Sequence, residues 1–280
     1  MTATPIDAMT DGVTAAASRL PIGRLEAHLR ERRDAGRKLL VPYMTGGMRD
    51  DWVELVAAMA DAGADAIEIG IPFSDPVMDG PTIQEASQIA LDRGATPVSV
   101  LDELRERLDT TIPLIAMTYY NIAFRIGHEK FASLLAGAGI SGCILPDLPL
   151  EEVGPWAAAA DANEIETVLL AAPTAPDERL PRVCARARGF VYGVGLVGIT
   201  GERAELAASA IVMAQRLKAV TEKPVIIGIG ISNAEQAAET CRYADGVVIA
   251  SALLRKLLDG GGPDEVIGFV SQVRARLDAI

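Results

Sequence analysis

Short apolar runs recur along the chain at residues 39–43, 66–69, 113–117, 142–145, 167–171, 190–194, 224–227 and 246–249, each bounded by turn residues. Continuous Val, Ile and Leu fit strands buried on both faces, because helices cover one side and the sheet's own core the other. The stretches between them carry charge at helical spacing and predict helices over 51–62, 84–93, 97–108, 129–136, 150–162, 176–186, 205–219, 233–242 and 263–277. Strand followed by helix, repeated eight times, predicts an α/β chain folded as a single (β/α)8 TIM barrel. An open doubly wound sheet shows the same alternation. Eight similar strands, with no Gly-rich dinucleotide turn after the first, favour closure.

Two features break the repetition. An extra amphipathic helix over 24–33 precedes the first strand and is placed to plug the barrel floor, and a further short helix is expected at 252–257. The stretch at 70–112 is long for one loop and one helix, and such an insertion belongs at a functional face. Residues 1–20 are expected to be a flexible leader before a catalytic barrel over 21–280. The leader has no basic residue before Arg19 and no continuous apolar core, so it does not read as a secretory signal. No apolar stretch reaches the ~18 residues that a membrane span needs.

Composition narrows the function. Twenty-six Lys and Arg against thirty-eight Asp and Glu leave a net charge of −12, which gives phosphodiester backbones no basic footprint. Half the residues are apolar, as in a globular chain. Cys143, Cys184 and Cys241 are odd in number and lie at neither zinc nor redox spacing. Buried, reduced thiols in a cytoplasmic enzyme are the expectation.

In a closed barrel, catalytic groups come from the carboxyl ends of the strands and the loops after them. His28 and His128 fall in helical segments, so a nucleophilic triad has no base and a His-rich metal site no ligands. Lys38 and Lys223 precede strands, and Lys130, Lys218 and Lys256 fall within helices, so no amine reaches the mouth for Schiff-base chemistry. Carboxylates and tyrosines remain as acid and base. Glu68 is a charge inside an apolar strand, near its carboxyl end. Desolvation raises a carboxyl's pKa toward neutrality, which suits a group that both gives and takes a proton. A buried Glu held by a structural partner is the alternative. Asp79 lies in a loop stiffened by Pro72, Pro76 and Pro81, where it is either a second catalytic carboxylate or a turn former before Gly80. Asp75 and Asp147 also follow strands and are expected to cap loops; no metal site is expected.

The last strands read as an anion site. Gly198-Ile199-Thr200-Gly201, Gly228-Ile229-Gly230-Ile231-Ser232 and Ala250-Ser251 follow the sixth, seventh and eighth strands. Glycines let backbone N–H groups approach a phosphate, and a helix N-terminus adds its dipole.

Several of these segments together resemble the tryptophan synthase alpha subunit family: Pro42-Tyr43-Met44-Thr45-Gly46-Gly47, the stretch 68–84, Tyr119-Tyr120-Asn121, Pro146-Asp147-Leu148-Pro149, Tyr192 with 198–201, and 228–232. The resemblance implies a carbon–carbon lyase of tryptophan biosynthesis. Its reaction is the retro-aldol cleavage of indole-3-glycerol phosphate to indole and D-glyceraldehyde 3-phosphate. It implies Glu68 as acid/base catalyst and Asp79 as the second carboxylate. Tyr43, Ile83, Tyr119, Tyr192 and Thr200 would contact substrate, and Gly201, Gly230 and Ser251 would bind phosphate. It further implies no cofactor in this subunit, and an αββα heterotetramer with a beta subunit that carries pyridoxal phosphate and receives indole through a tunnel. The loops after strands two and six would meet that partner. Ala250, Ile229 and Tyr43 depart from the family's Gly-Ser pair and its two phenylalanines. Another phosphate-binding barrel, such as a sugar-phosphate isomerase, and a catalytically idle subunit that only activates its partner are the competing readings.

Overall fold

The computed structural model describes residues 20–195, 203–228 and 230–280. Eight parallel strands close into a barrel in chain order: β1 (Leu39–Thr45), β2 (Ile67–Gly70), β3 (Leu114–Met117), β4 (Ile140–Ile144), β5 (Glu166–Ala171), β6 (Val191–Gly193), β7 (Val225–Ile227) and β8 (Gly246–Ile249). Closure runs through β1 and β8, where Leu39 pairs with Gly246 and Pro42 with Ile249.

Strand side chains alternate between two cores. Leu39, Val41, Ala66, Ile115, Val168 and Ile226 face inward and pack together. Leu40, Ile67, Ile69, Leu114, Val225 and Val247 face the helical layer and belong to the larger core there. By this parity Glu68, between Ile67 and Ile69, points into the barrel.

α1 (Arg24–Asp34) fills the floor, as its position in the sequence suggests. Its Leu25 and Leu29 are fully buried in the interior cluster. Room for Leu25 comes from Gly142, where a Cβ would lie 2.6 Å from its Cδ2. The Glu166 carboxylate, at the start of β5, accepts the N–H of Leu25 at 2.6 Å and that of Glu26 at 3.3 Å. An anion thereby meets the positive end of the plug helix.

The remaining helices are α2 (Trp52–Asp61), α3 (Pro81–Asp92), α4 (Pro97–Arg107), α5 (Tyr120–Ile126), α6 (His128–Gly137), α7 (Gly154–Ala162), α8 (Leu180–Arg186), α9 (Arg203–Lys218), α10 (Ala234–Cys241), α11 (Ser251–Leu258) and α12 (Pro263–Leu277). Prolines explain the boundaries that differ from expectation. Proline suits the first turn of a helix, where its missing N–H costs nothing. So α3 begins at Pro81 ahead of the predicted 84, and α7 and α8 begin at Gly154 and Leu180, beside Pro155 and Pro181, after the predicted 150 and 176. α5 is an unpredicted helix, because its residues continue the apolar run of β3; Gly127, at φ +94°, separates it from α6.

Cys143, Cys184 and Cys241 are buried free thiols, and burial pushes Cys184 up to about 11 and Cys241 up to about 12. Among the described residues, no helix is long and apolar enough to cross a membrane. Residues 1–19 lie outside the described part of the chain, and with them nearly all of the expected leader.

Candidate active site at the barrel mouth

Glu68 sits near the carboxyl end of β2, in register with Tyr43 on one side and Ile115 on the other. It is 1% exposed, and its Oε2 is buried with no hydrogen-bond partner among the described residues. Burial, reinforced by the Asp79 carboxylate, pushes its pKa up to about 8. An unpartnered buried carboxyl is costly unless it is neutral, and this one is neutral near pH 7. A structural glutamate would be expected to have a partner, as Glu166 does at the floor.

Asp79 comes from the loop after β2 and is partly buried. Burial raises its pKa to about 6, against the hydrogen bond it accepts from Tyr119, which lowers it. The loop is braced around it. Gln84 Nε2 donates to the Asp79 carbonyl at 2.9 Å, and the Tyr119 hydroxyl donates to Asp79 Oδ2 at 3.1 Å. Phe73 stacks on Tyr119 with ring centroids 5.0 Å apart. The environments of the two carboxyls separate them, leaving Glu68 protonated and Asp79 mostly ionised near pH 7.

Two tyrosines complete the inner wall. Tyr43 is buried, and its hydroxyl occupies the space beside Gly70, where a Cβ would fall 1.8 Å away. Tyr192 stands in the same relation to Gly228, whose Cβ would fall 2.1 Å from its hydroxyl. Burial, then neighbouring carboxylates, raises both phenols well above their ordinary range, so both remain protonated. Tyr192 meets Phe190 edge to face at 5.9 Å.

The other expected residues divide. Ile83, in the first turn of α3, is half-buried against the larger core. Gly230 is exposed with φ +75°, a conformation that glycine adopts without strain. Ser251 opens α11 and is exposed. The first N–H groups of a helix have no partner within it, so this end can receive an anion. Arg255, in the last turn of the same helix, donates to Thr82 Oγ1 at 3.2 Å and pairs with Glu85 at 2.7 Å, tying α11 to α3. Thr200, Gly201 and Ile229 lie outside the described residues.

Asp147 accepts the N–H of Tyr120 at 2.8 Å and so caps α5, the job expected of it. Asp75 accepts from the Ser74 hydroxyl at 2.6 Å. Among the described residues, no three His, Cys, Asp or Glu side chains converge as a metal site. A cavity of about 400 Å³ lies off the mouth, lined by Arg49, Arg93, Arg107 and Glu103 among others. Its guanidinium groups are already paired with Asp51, Asp50 and Glu54, so it does not compete as the reacting site.

The packing roles of Phe73, Gly70 and Gly228 were missed by sequence reasoning, which read Gly228 only as part of the anion loop. Gly70 and Gly228 end inward-facing strand positions opposite tyrosines, a signal that emerges only once the strand register is known. Tyr119, expected to contact substrate, lies at the mouth with its hydroxyl hydrogen-bonded to Asp79 and Met78.

Residues 29–270 match the family model described as Tryptophan synthase alpha chain. The chain is similar to the tryptophan synthase alpha chain of Streptomyces coelicolor, with 43% identity over 84% of this chain and 88% of that one. Against that of Thermobifida fusca the identity is 42%, over 91% and 96%. Among solved structures it resembles tryptophan synthase subunit alpha from Legionella pneumophila, with TM-score 0.82 and 31% identity over 93% of this chain and all of that one. It also resembles a Mycobacterium tuberculosis tryptophan synthase chain, with TM-score 0.84 and 34% identity over 92% and 99%.

Proposed function

The chain belongs to the tryptophan synthase alpha chain family, whose lyase reaction releases indole from indole-3-glycerol phosphate, and we propose that Glu68 and Asp79 divide the proton work of that cleavage between them. The single observation that carries this reading is the buried, unpartnered carboxyl of Glu68 at the mouth.

Protonated Glu68 delivers its proton to C3 of the indole, leaving the ring nitrogen cationic. Ionised Asp79 accepts a hydrogen bond from the ring N–H and stabilises that charge. The Glu68 carboxylate then takes the proton of the adjacent hydroxyl. As the aldehyde C=O forms, the bond to C3 breaks and its electron pair returns to the ring. Indole and glyceraldehyde 3-phosphate leave, and Glu68 is again protonated. Tyr43 and Tyr192 wall the ring, with Ile83 beside them; the contact expected of Thr200 rests on the resemblance alone, since that residue lies outside the described ones. The phosphate rests on the N–H groups at Gly230 and Ser251, where the α11 dipole favours it, and the part expected of Gly201 rests on the resemblance alone.

The work assigned to this chain is proton transfer, so it calls for no cofactor here; pyridoxal phosphate would belong to a beta subunit in an αββα assembly. Support for the docking face comes from Val77, Met78 and Phe124, which are 81%, 58% and 63% exposed. Val77 and Met78 share the loop of Asp79, and Phe124 lies on α5, just after Tyr119. Buried reduced thiols fit a cytoplasmic location. The formal charge of −12 argues against nucleic acid or anionic lipid as a partner.

The deciding experiment measures indole released from indole-3-glycerol phosphate by the purified chain, with and without a beta subunit. Cleavage that is lost in Glu68→Gln supports the reading; no cleavage in either condition overturns it. For the phosphate site, Gly230→Val should weaken binding of glyceraldehyde 3-phosphate, and unchanged affinity would place the anion elsewhere.

A further inference from the structure

The Tyr119 hydroxyl serves two consecutive residues of the loop after β2. It donates to Asp79 Oδ2 at 3.1 Å and accepts the backbone N–H of Met78 at 2.9 Å. Its ring is fixed from below by Phe73, nearly parallel at 22°, and the residue is 4% exposed. A hydroxyl that accepts an N–H becomes a better donor, so the two bonds strengthen each other.

We propose that Tyr119 is a positioning residue for the cleavage, which fixes the Asp79 carboxylate at the mouth by clamping it to the Met78 backbone. The inference rests on the reading of Asp79 as acceptor of the indole N–H. Four groups among the described residues face Asp79: Glu68 from β2, Tyr43 from β1, Tyr119 from the end of β3 and Tyr192 from β6. Asp147, after β4, faces Tyr119 in turn. Of the four, Tyr119 alone hydrogen-bonds the Asp79 side chain. A donor to the charged form holds a carboxyl ionised, whereas burial drives it neutral. Losing the phenol O–H would therefore leave Asp79 both protonated more readily and free to rotate.

Tyr119→Phe keeps the ring and its stack while removing the hydroxyl. In the full chain, titration of the Asp79 carboxyl carbon by NMR should move up by about one pH unit, and turnover should fall about tenfold with KM little changed. In an Asp79→Asn background the same substitution should cost almost nothing further. A titration that does not move overturns the clamp. A tenfold loss that persists in the Asn background also overturns it, since the hydroxyl would then act on the substrate directly. If the titration moves but turnover does not, the positioning role falls together with the part given to Asp79, while Glu68 is untouched. Full turnover in Asp79→Asn alone would sink the underlying reading, and the NMR arm would still report whether the bond exists.

Discussion

Glu68 and Glu166 are glutamates inside the same barrel with opposite fates: the floor carboxylate of Glu166 accepts the N–H groups of Leu25 and Glu26, while Oε2 of Glu68 at the mouth has no partner among the described residues. One is held by a helix end and stabilises the fold. The other carries an unmet desolvation cost, the kind of local conflict that folds retain where chemistry needs it.

Glu68→Gln should reduce indole release by about 10²- to 10⁴-fold, because general acid/base catalysis contributes that much per group. Substrate should still bind, since the amide preserves the shape. Single-turnover assays with indole-3-glycerol phosphate would read both quantities. Wild-type turnover in this variant would remove Glu68 from the reaction.

The same residue makes stability depend on pH in an unusual direction. Its folded pKa is raised to about 8, above the unfolded value of about 4.3. Between these values the unfolded chain has released the proton and the folded chain still holds it, so stability falls as pH rises. Below that window the group contributes nothing, and above it the loss is complete. Melting temperatures of the Glu68→Gln variant should therefore gain on wild type as pH is raised through the window; a constant difference would argue that the carboxyl is not buried neutral.

In the proposed mechanism the first step needs Asp79 ionised and Glu68 protonated. Turnover should rise with pH through about 6 and decline through about 8, with the two values belonging to the coupled pair. Asp79→Asn should lose most of the rate, keep the fold and abolish the acidic limb. An intact limb in that variant would assign the titration to some other group.

At the floor, Glu166→Ala should cost roughly 1–3 kcal/mol of stability, because it strips the acceptor from buried N–H groups. Turnover per folded molecule should be unchanged. Denaturant melts set beside specific activity would separate the two effects, and an activity loss without destabilisation would contradict a structural role.

The architecture was legible in the sequence because parallel strands buried on both faces leave continuous apolar runs, and eight of them leave little choice. Glu68 was legible for the same reason, as a charge within such a run. Helix starts were less so: Pro155 and Pro181 sit inside segments whose spacing suits a helix beginning four residues earlier. The Tyr119–Asp79 bond was invisible, since it joins residues 40 apart through a loop whose course depends on packing. The seats of Tyr43 and Tyr192 over Gly70 and Gly228 likewise depend on strand register, which periodicity does not encode.

Because Leu25 and Leu29 of the N-terminal helix stopper the base of the cylinder, it is a vessel with a single working rim. Reactant, sugar fragment and aromatic product must therefore share one doorway. Whatever seats on that rim gains command of the traffic, able to collect the aromatic product at the threshold or to hold it back until the next reactant has a place to enter.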